Sequence, residues 1–504
     1  MDQKIVGSGT SKFEYIEVDE LRQSADISRG GTDEAQSNYG EATSMVEKRM
    51  SRYCRKVDMR ILVYAIILCV LNQSDRGSIG VAKVVGLESD LGMTKHDFNI
   101  ATTLFTVGYL VLEVFSNFVL KRVGASKLLP TLGILWGCVC ALQGVIRTKT
   151  QLFVMRVLLG MAECGFTAGV LLIISFFYPK SRLTARVGFF YLSSPLANVF
   201  SGPLASALSH IHHATIKRWQ WVFILEGVLT ILVSLFGYYI LQDHPEKCTF
   251  LNDDDKEFIV AYKKGEGSLG GSQKLSFADT KRALLDWQLW VMTFAAFATC
   301  SSCGSITVFA PELINELGFT PAQSQAMSAL PSVFGAIAIL LAGHTVKLCG
   351  SHWLAGVLAL STALLGSIMM AATLSVPVRM IGLCLVGTGA FSGLGILPGW
   401  NITTNSQSVA HSAVASAVTV FVGSASGFVS SNIFLNEDAP RFVIGHSVNI
   451  GLLVVGIVAC VVTRLSMGRR NRIMQARETQ LAVGFEDNDN AIDIASRRRF
   501  QFVY

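Results

Sequence analysis

The chain is 504 residues long, 51% hydrophobic and only 15% charged, with a mean hydropathy of +0.46. Soluble domains carry roughly 25% charge, so a water-soluble fold that hides this much apolar surface is excluded. The formal net charge of +6 comes from basic residues set beside apolar stretches rather than on one basic face, which argues against a nucleic-acid partner.

Residues 1–60 are polar and hold no apolar core of signal-peptide length, so a disordered cytoplasmic tail without a cleaved leader is expected there. A membrane helix needs about 20 mostly apolar residues to cross a hydrocarbon core of about 30 Å. Twelve stretches qualify: 61–80, 98–120, 128–146, 152–178, 187–210, 220–241, 288–310, 324–346, 352–374, 380–400, 411–434 and 442–463. They give an N-terminal six-helix half (61–241), a hydrophilic central loop (242–287) containing Asp253, Asp254 and Asp255, a C-terminal six-helix half (288–463) and a cytoplasmic tail (464–504). The fold class expected is an all-α polytopic membrane protein of 12 transmembrane helices in two halves.

Lys and Arg near span ends set orientation. The flank at 45–60, the even-numbered connections and the C-terminal flank carry 25 basic residues, against 8 in the odd-numbered connections. Both termini are therefore expected in the cytoplasm. A six-plus-six layout with a cytoplasmic central loop points to a transporter whose halves rock about a site near the bilayer midplane. Gly133/Gly137, Gly165/Gly169 and Gly423/Gly427 have the spacing of close helix packing.

An ionisable side chain inside the bilayer costs a few kcal/mol or more and asks for a partner or a function. Six fall within spans: Asp75 and Arg76 in the first, Glu113 in the second, Arg156 and Glu163 in the fourth, and Glu226 in the sixth. The C-terminal half has none within its spans, so ion coupling is expected in the N-terminal half. At about 1.5 Å per residue, Asp75 lies roughly 21 Å from the cytoplasmic side and Arg156 roughly 7 Å below the outer one, which is nearly the same level and suggests an Asp75–Arg156 ion pair. Glu163 follows Arg156 by two turns on one helix face, close to mid-membrane, a position suited to a proton site. A purely structural network pinning span one to span four is the competing reading, and for Glu113 and Glu226 a structural role is preferred.

Eight of the cysteines lie in apolar runs and behave as small hydrophobes. The Cys300–Cys303 pair lacks the second pair or nearby His that a metal centre needs, so no metal is expected. His210, His212 and His213 read as solvated loop residues. No GxxxxGKS/T phosphate loop and no nucleophile–base pattern is present, which disfavours a primary pump, an enzyme or a resident cofactor.

Four segments carry a resemblance. Asp75-Arg76-Gly77-Ser78-Ile79-Gly80 resembles the DRxNIG signature of the anion:cation symporters, within the major facilitator superfamily. The run from Gly108-Tyr109 through Glu113, Ser116-Asn117 and Leu120-Lys121-Arg122-Val123-Gly124 resembles their GYxxxExxSNxxLxRxG element. Arg156 to Glu163 is similar to RxLLGxxE, and Trp219 to Gly227 to WRWxFxxEG. Looser similarity runs from about residue 59 to 465 and is greatest to the fungal allantoate, nicotinate and vitamin permeases. Ser78 and Gln220 depart from the family's Asn and Arg, and the loop after span eight lacks the usual acidic–basic pair.

The resemblance implies a major facilitator fold and proton-coupled uptake of a small organic anion by a plasma-membrane monomer. Asp75 and Glu163 are then expected to handle protons, Arg76, Arg156 and Asn401 to bind substrate, and Glu113, Arg122 and Glu226 to serve structure or gating. A proton-coupled multidrug exporter and a non-transporting nutrient sensor are the alternatives.

Overall fold

The computed structural model describes residues 33–94, 96–208, 216–265, 277–404, 409–434 and 441–483. Among them the regular structure is helical, with no strand. The N-terminal part comprises α1 (Asp33–Val57), α2 (Val63–Val84), α3 (Asp97–Val123), α4 (Ala125–Gln143), α5 (Lys149–Glu163), α6 (Phe166–Phe177), α7 (Lys180–Tyr191), α8 (Ser193–Leu208) and α9 (Arg218–Ile240). Then come α10 (Asp253–Gly265), α11 (Phe277–Leu284), α12 (Trp287–Asn315), α13 (Pro321–Met327), α14 (Ala329–Cys349), α15 (His352–Ala372), α16 (Val376–Thr404), α17 (Val409–Ser430) and α18 (Val443–Val483).

Each of the twelve apolar stretches falls on one helix or on a broken pair: α5–α6, α7–α8 and α13–α14 are the pairs. Eight of these units are long and apolar enough by themselves to cross a membrane among the described residues. The others are α2, α3, α7–α8 and α17, whose apolar runs are interrupted by charged or small polar residues. Large side chains such as Phe115, Phe200, Phe236 and Leu341 stand exposed on the outside of the bundle, where a soluble protein would be polar.

Glycines let the first half close up. A Cβ at Gly160 would sit 2.1 Å from the Phe105 carbonyl oxygen, and one at Gly108 2.3 Å from that of Val157, so α3 and α5 touch backbone to backbone. Gly165, at φ +78°, breaks span four immediately after Glu163, a backbone conformation that other residues adopt only under strain.

The two halves meet along α2 with α12, α3 with α17, and α8 with α13 and α14. At the end away from the central connection they are joined by an ion pair between Lys83 Nζ and Glu312 Oε1 at 2.6 Å, a hydrogen bond donated by Asn432 Nδ2 to Thr103 Oγ1 at 2.8 Å, and rings of Phe98, Phe309 and Phe434 in edge or tilted contact.

The expectation of a disordered tail over 1–60 is corrected for Asp33–Val57, which is helical and packed. Met50, Tyr53, Cys54 and Val57 are buried. Tyr53 donates to the Phe177 carbonyl at 2.8 Å, Lys56 pairs with Asp255 at 2.5 Å, and the Arg49 guanidinium lies 4.7 Å from the Phe258 ring. Interspersed apolar residues on one face of a polar helix give it a surface to bury, which composition alone conceals. The hydrophilic connection 242–287 likewise holds α10 and α11, and α18 continues beyond the apolar span to Val483. His210, His212 and His213 lie outside the described residues.

Candidate functional site

A cavity of about 2180 Å³ runs between the halves, from mid-bundle to the face that carries the central connection. Gln242, Asp243 and His244 line its mouth; Arg76, Tyr109, Glu113 and Arg156 line its deep part from the first half, and Cys300, Cys303 and Thr307 from the second. The opposite end is shut by the Lys83–Glu312 contact and the phenylalanine cluster.

Arg76 is held from three directions. Its Nε donates to Glu163 Oε2 at 2.9 Å, and its guanidinium lies 4.9 Å from the Tyr109 ring and 5.3 Å from the Phe105 ring. Its side chain keeps 28% exposure while Glu163 keeps none, so the cation looks into the cavity and the carboxylate lies behind it. Arg156 is only 1% exposed, sits 5.5 Å from the Phe223 ring, and borders the cavity. Its Nε and Nη2 have no hydrogen-bond partner among the described residues. A guanidinium presents its donors in a planar fork matched to a carboxylate, so this is a desolvated cation with its recognition edge unspent.

The expected Asp75–Arg156 ion pair is corrected. The ion pair of this region is Arg76–Glu163, and Asp75 instead accepts from the Cys140 thiol at 3.3 Å. Consecutive residues of a helix point about 100° apart, so when Arg76 faces the cavity Asp75 turns into the interior of the half. There Glu226 joins it, accepting from Ser74 Oγ at 2.7 Å.

The other sequence candidates divide. Glu113 is buried on the cavity wall, and Arg122 borders the cavity while remaining exposed. Asn401 was expected to face substrate; its side chain is fully buried and donates to Thr293 Oγ1 at 3.0 Å and Thr419 Oγ1 at 2.9 Å. It ties α16 to α12 and α17 and does not border the cavity, because an amide buried between helices is held by their hydroxyls before any solute reaches it.

Lys83, Glu312 and Arg379 lie just outside the apolar stretches that mark the spans, which end at 80 and 310 and begin at 380. The helices run on to Val84 and Asn315 and begin at Val376, which buries the alkyl stems of these residues and brings Lys83 and Glu312 together. The unbroken helical pattern past each of these ends was the available signal.

The family model of the Major Facilitator Superfamily matches residues 65–431, spanning both halves and the cavity between them. The chain belongs to the Major Facilitator Superfamily. It is 30% identical over 438 residues to a protein named MFS transporter prlL from Fungal sp. strain NRRL 50135, covering 84% of this chain and 88% of that one. It is 29% identical over 416 residues to a putative tartrate transporter of Agrobacterium vitis, covering 82% of this chain and 94% of that one. Among solved structures it resembles a bacterial homologue of the human lysosomal transporter Spinster in an inward-facing, occupied conformation. The TM-score is 0.59 with 16% identity over 80% of this chain and 96% of that one, a likeness of fold alone. This superfamily member is therefore a multi-pass membrane transport protein and not an enzyme.

Proposed function

We propose that this superfamily member takes up a small organic anion bearing a carboxylate, coupled to protons, by alternating access. The observation that carries the reading is Arg156, a fully desolvated guanidinium on the cavity wall with two donor nitrogens unspent. Buried guanidinium donors left without a hydrogen-bond partner are costly, and a substrate carboxylate is the group that satisfies them. Arg76, at the cavity surface, supplies a second positive centre, and the aromatic rings around both cations keep the site dry enough to strengthen the attraction. The similarity to a putative tartrate transporter supports a carboxylate cargo.

Proton coupling is assigned to Asp75 and Glu163. Glu163 is tied to Arg76, so a carboxylate that competes for Arg76 releases Glu163 to accept a proton; proton and anion then travel as a nearly neutral set. The basic bias of the connections supports a cytoplasmic position for both termini, and the cavity then opens inward. We place the protein in the plasma membrane as a monomer, with Glu113 and Arg122 in structural or gating roles.

The test is counterflow and gradient-driven uptake of labelled tartrate and of a panel of labelled monocarboxylates into proteoliposomes at two external pH values. Accumulation that grows on external acidification supports the proposal. Binding without exchange would make the protein a sensor, and loss of internal label in exchange for external protons would make it an exporter.

A further inference from the structure

Behind the cavity wall lies a second group of ionisable side chains that anion binding does not use. Side-chain ligand atoms of Asp75 on α2, Cys140 on α4 and Glu226 on α9 lie within 4.8 Å of one another, and all three residues are buried. Asp75 is 0% and Glu226 4% exposed. One oxygen of each carboxyl group is accounted for, Oδ1 by the Cys140 thiol and Oε1 by the Ser74 hydroxyl. The other two, Asp75 Oδ2 and Glu226 Oε2, have no partner within bonding geometry among the described residues. The indole N–H of Trp136 on α4 faces Asp75, and it too is fully buried without a bonded partner.

The surroundings fix the charge balance. Among the described residues, the charged groups acting on the two carboxyl groups are Arg156 and Glu163 on α5; Ser74, Ser78, Trp136 and Cys140 are neutral neighbours. Arg76 is matched to Glu163. Arg156 is then left as counter-charge to two carboxylates, and at such buried positions its single charge offsets one of them. Two ionised carboxylates within 4.8 Å of each other, sharing one guanidinium, are not a stable arrangement; a single proton held by the pair removes one of the two charges.

We infer that Asp75 and Glu226 form a carboxyl–carboxylate pair that holds a single shared proton, making Glu226 a proton-handling residue and not a structural one. The coupling role of this pair rests on the transport reading given above; the shared proton does not. When a substrate carboxylate engages Arg156, the guanidinium charge is neutralised and the pair takes up a second proton from water, so that an O–H bond forms on the remaining carboxylate. When substrate leaves, that proton returns to water and Arg156 again offsets one carboxylate. One substrate charge thus brings one proton to the pair. A hard cation is the poorer occupant, because such ions take six or more oxygen ligands and this cluster offers two carboxylates and a thiol beside a guanidinium.

The experiment is infrared difference spectroscopy on the full-length protein in sodium-free lipid vesicles without substrate. It reads the carbonyl stretch of protonated carboxylic acids and its shift in heavy water. Asp75→Asn and Glu226→Gln are each expected to remove the same band, one carboxyl per chain, and the double variant to remove no more. Two bands lost additively, or either single variant leaving the band intact, would overturn the inference, as would loss of the band on adding sodium to wild type. If neither single variant yields monodisperse protein, Ser74→Ala decides. Deleting the donor to Glu226 must shift the wild-type band, and an unmoved band overturns the inference. Failure of tartrate or monocarboxylate uptake with the non-additive band intact would sink the transport reading alone.

Discussion

Replacing Lys83 with Met should open the end of the bundle that this structure holds shut. Lys83 Nζ lies 2.6 Å from Glu312 Oε1, with side-chain exposures of 7% and 14%, and across the same seam 5.9 Å from the Phe309 ring centroid. Exposed ion pairs contribute about 0–1 kcal/mol, whereas breaking a buried one costs about 3–5 kcal/mol, and this pair lies between those limits. Taking about 2 kcal/mol for the pair and about 0.5–1 kcal/mol for the cation–π contact gives about 2.5–3 kcal/mol, or roughly a hundredfold change in the closed-to-open ratio. A population of about 99:1 would move to about 1:1. Because the contact joins α2 to α12, across the halves, the effect falls on conformation more than on folding. Double electron–electron resonance between spin labels at Ser89 and Glu316, both exposed at that end, reads it directly. The labels need non-thiol chemistry, since the chain has eleven cysteines. Adding Glu312→Gln to Lys83→Met should cost far less than the sum of the single changes. An unchanged distance distribution in Lys83→Met, or single effects that add within about 0.5 kcal/mol, would refute the reasoning.

Four further outcomes are expected. Glu163→Gln should abolish uphill accumulation of the transported anion while sparing exchange, and Arg156→Ala should weaken anion affinity by about 10–100-fold, the worth of charge-assisted hydrogen bonds; gradient-driven uptake by Glu163→Gln at the wild-type level would refute the first, and unchanged competition binding the second. Gly160→Val should destabilise by about 1–3 kcal/mol or more through its clash with Phe105, lowering the thermal midpoint, whereas the same change at the exposed Gly343, where a Cβ meets nothing within 4 Å among the described residues, should leave packing untouched. Outside the spans, the Asp97 carboxyl is held below its ordinary value, first by the Thr94 backbone N–H at 2.7 Å and also by Lys149 at 3.0 Å. A depressed folded value gives stability that is present above the unfolded value, about 3.9, and is lost as pH falls through the folded one. Asp97→Asn should therefore flatten the acid limb of thermal stability below about pH 4, and an acid limb identical to wild type would count against this pairing.

Twelve runs of apolar residues, each near the length of the hydrocarbon core, made the span count legible, because backbone polar groups in lipid leave helices as the workable choice for such runs. Isolated charges within apolar spans made Asp75, Arg76, Arg156 and Glu163 legible as candidates, because their desolvation demands a reason. Depth along each helix also came from counting residues at a fixed rise, and it brought spans one and four to a common level.

Azimuth did not. Whether a side chain at a given depth faces the cavity or the interior depends on how its helix is rotated against neighbours. That rotation is set by backbone contacts such as Gly160 on Phe105 and by the break at Gly165. So sequence distance suggested Asp75 with Arg156, while packing paired Arg76 with Glu163 and gave Asp75 to Cys140 and Glu226. Asn401 sits at a plausible depth and yet is spent on Thr293 and Thr419. Hydropathy, which averages over all directions around a helix axis, determined that this chain lives in a membrane and where its charges lie in depth. Which charges meet, and the seam at which Lys83 reaches Glu312, was decided only when helices remote in sequence packed side by side.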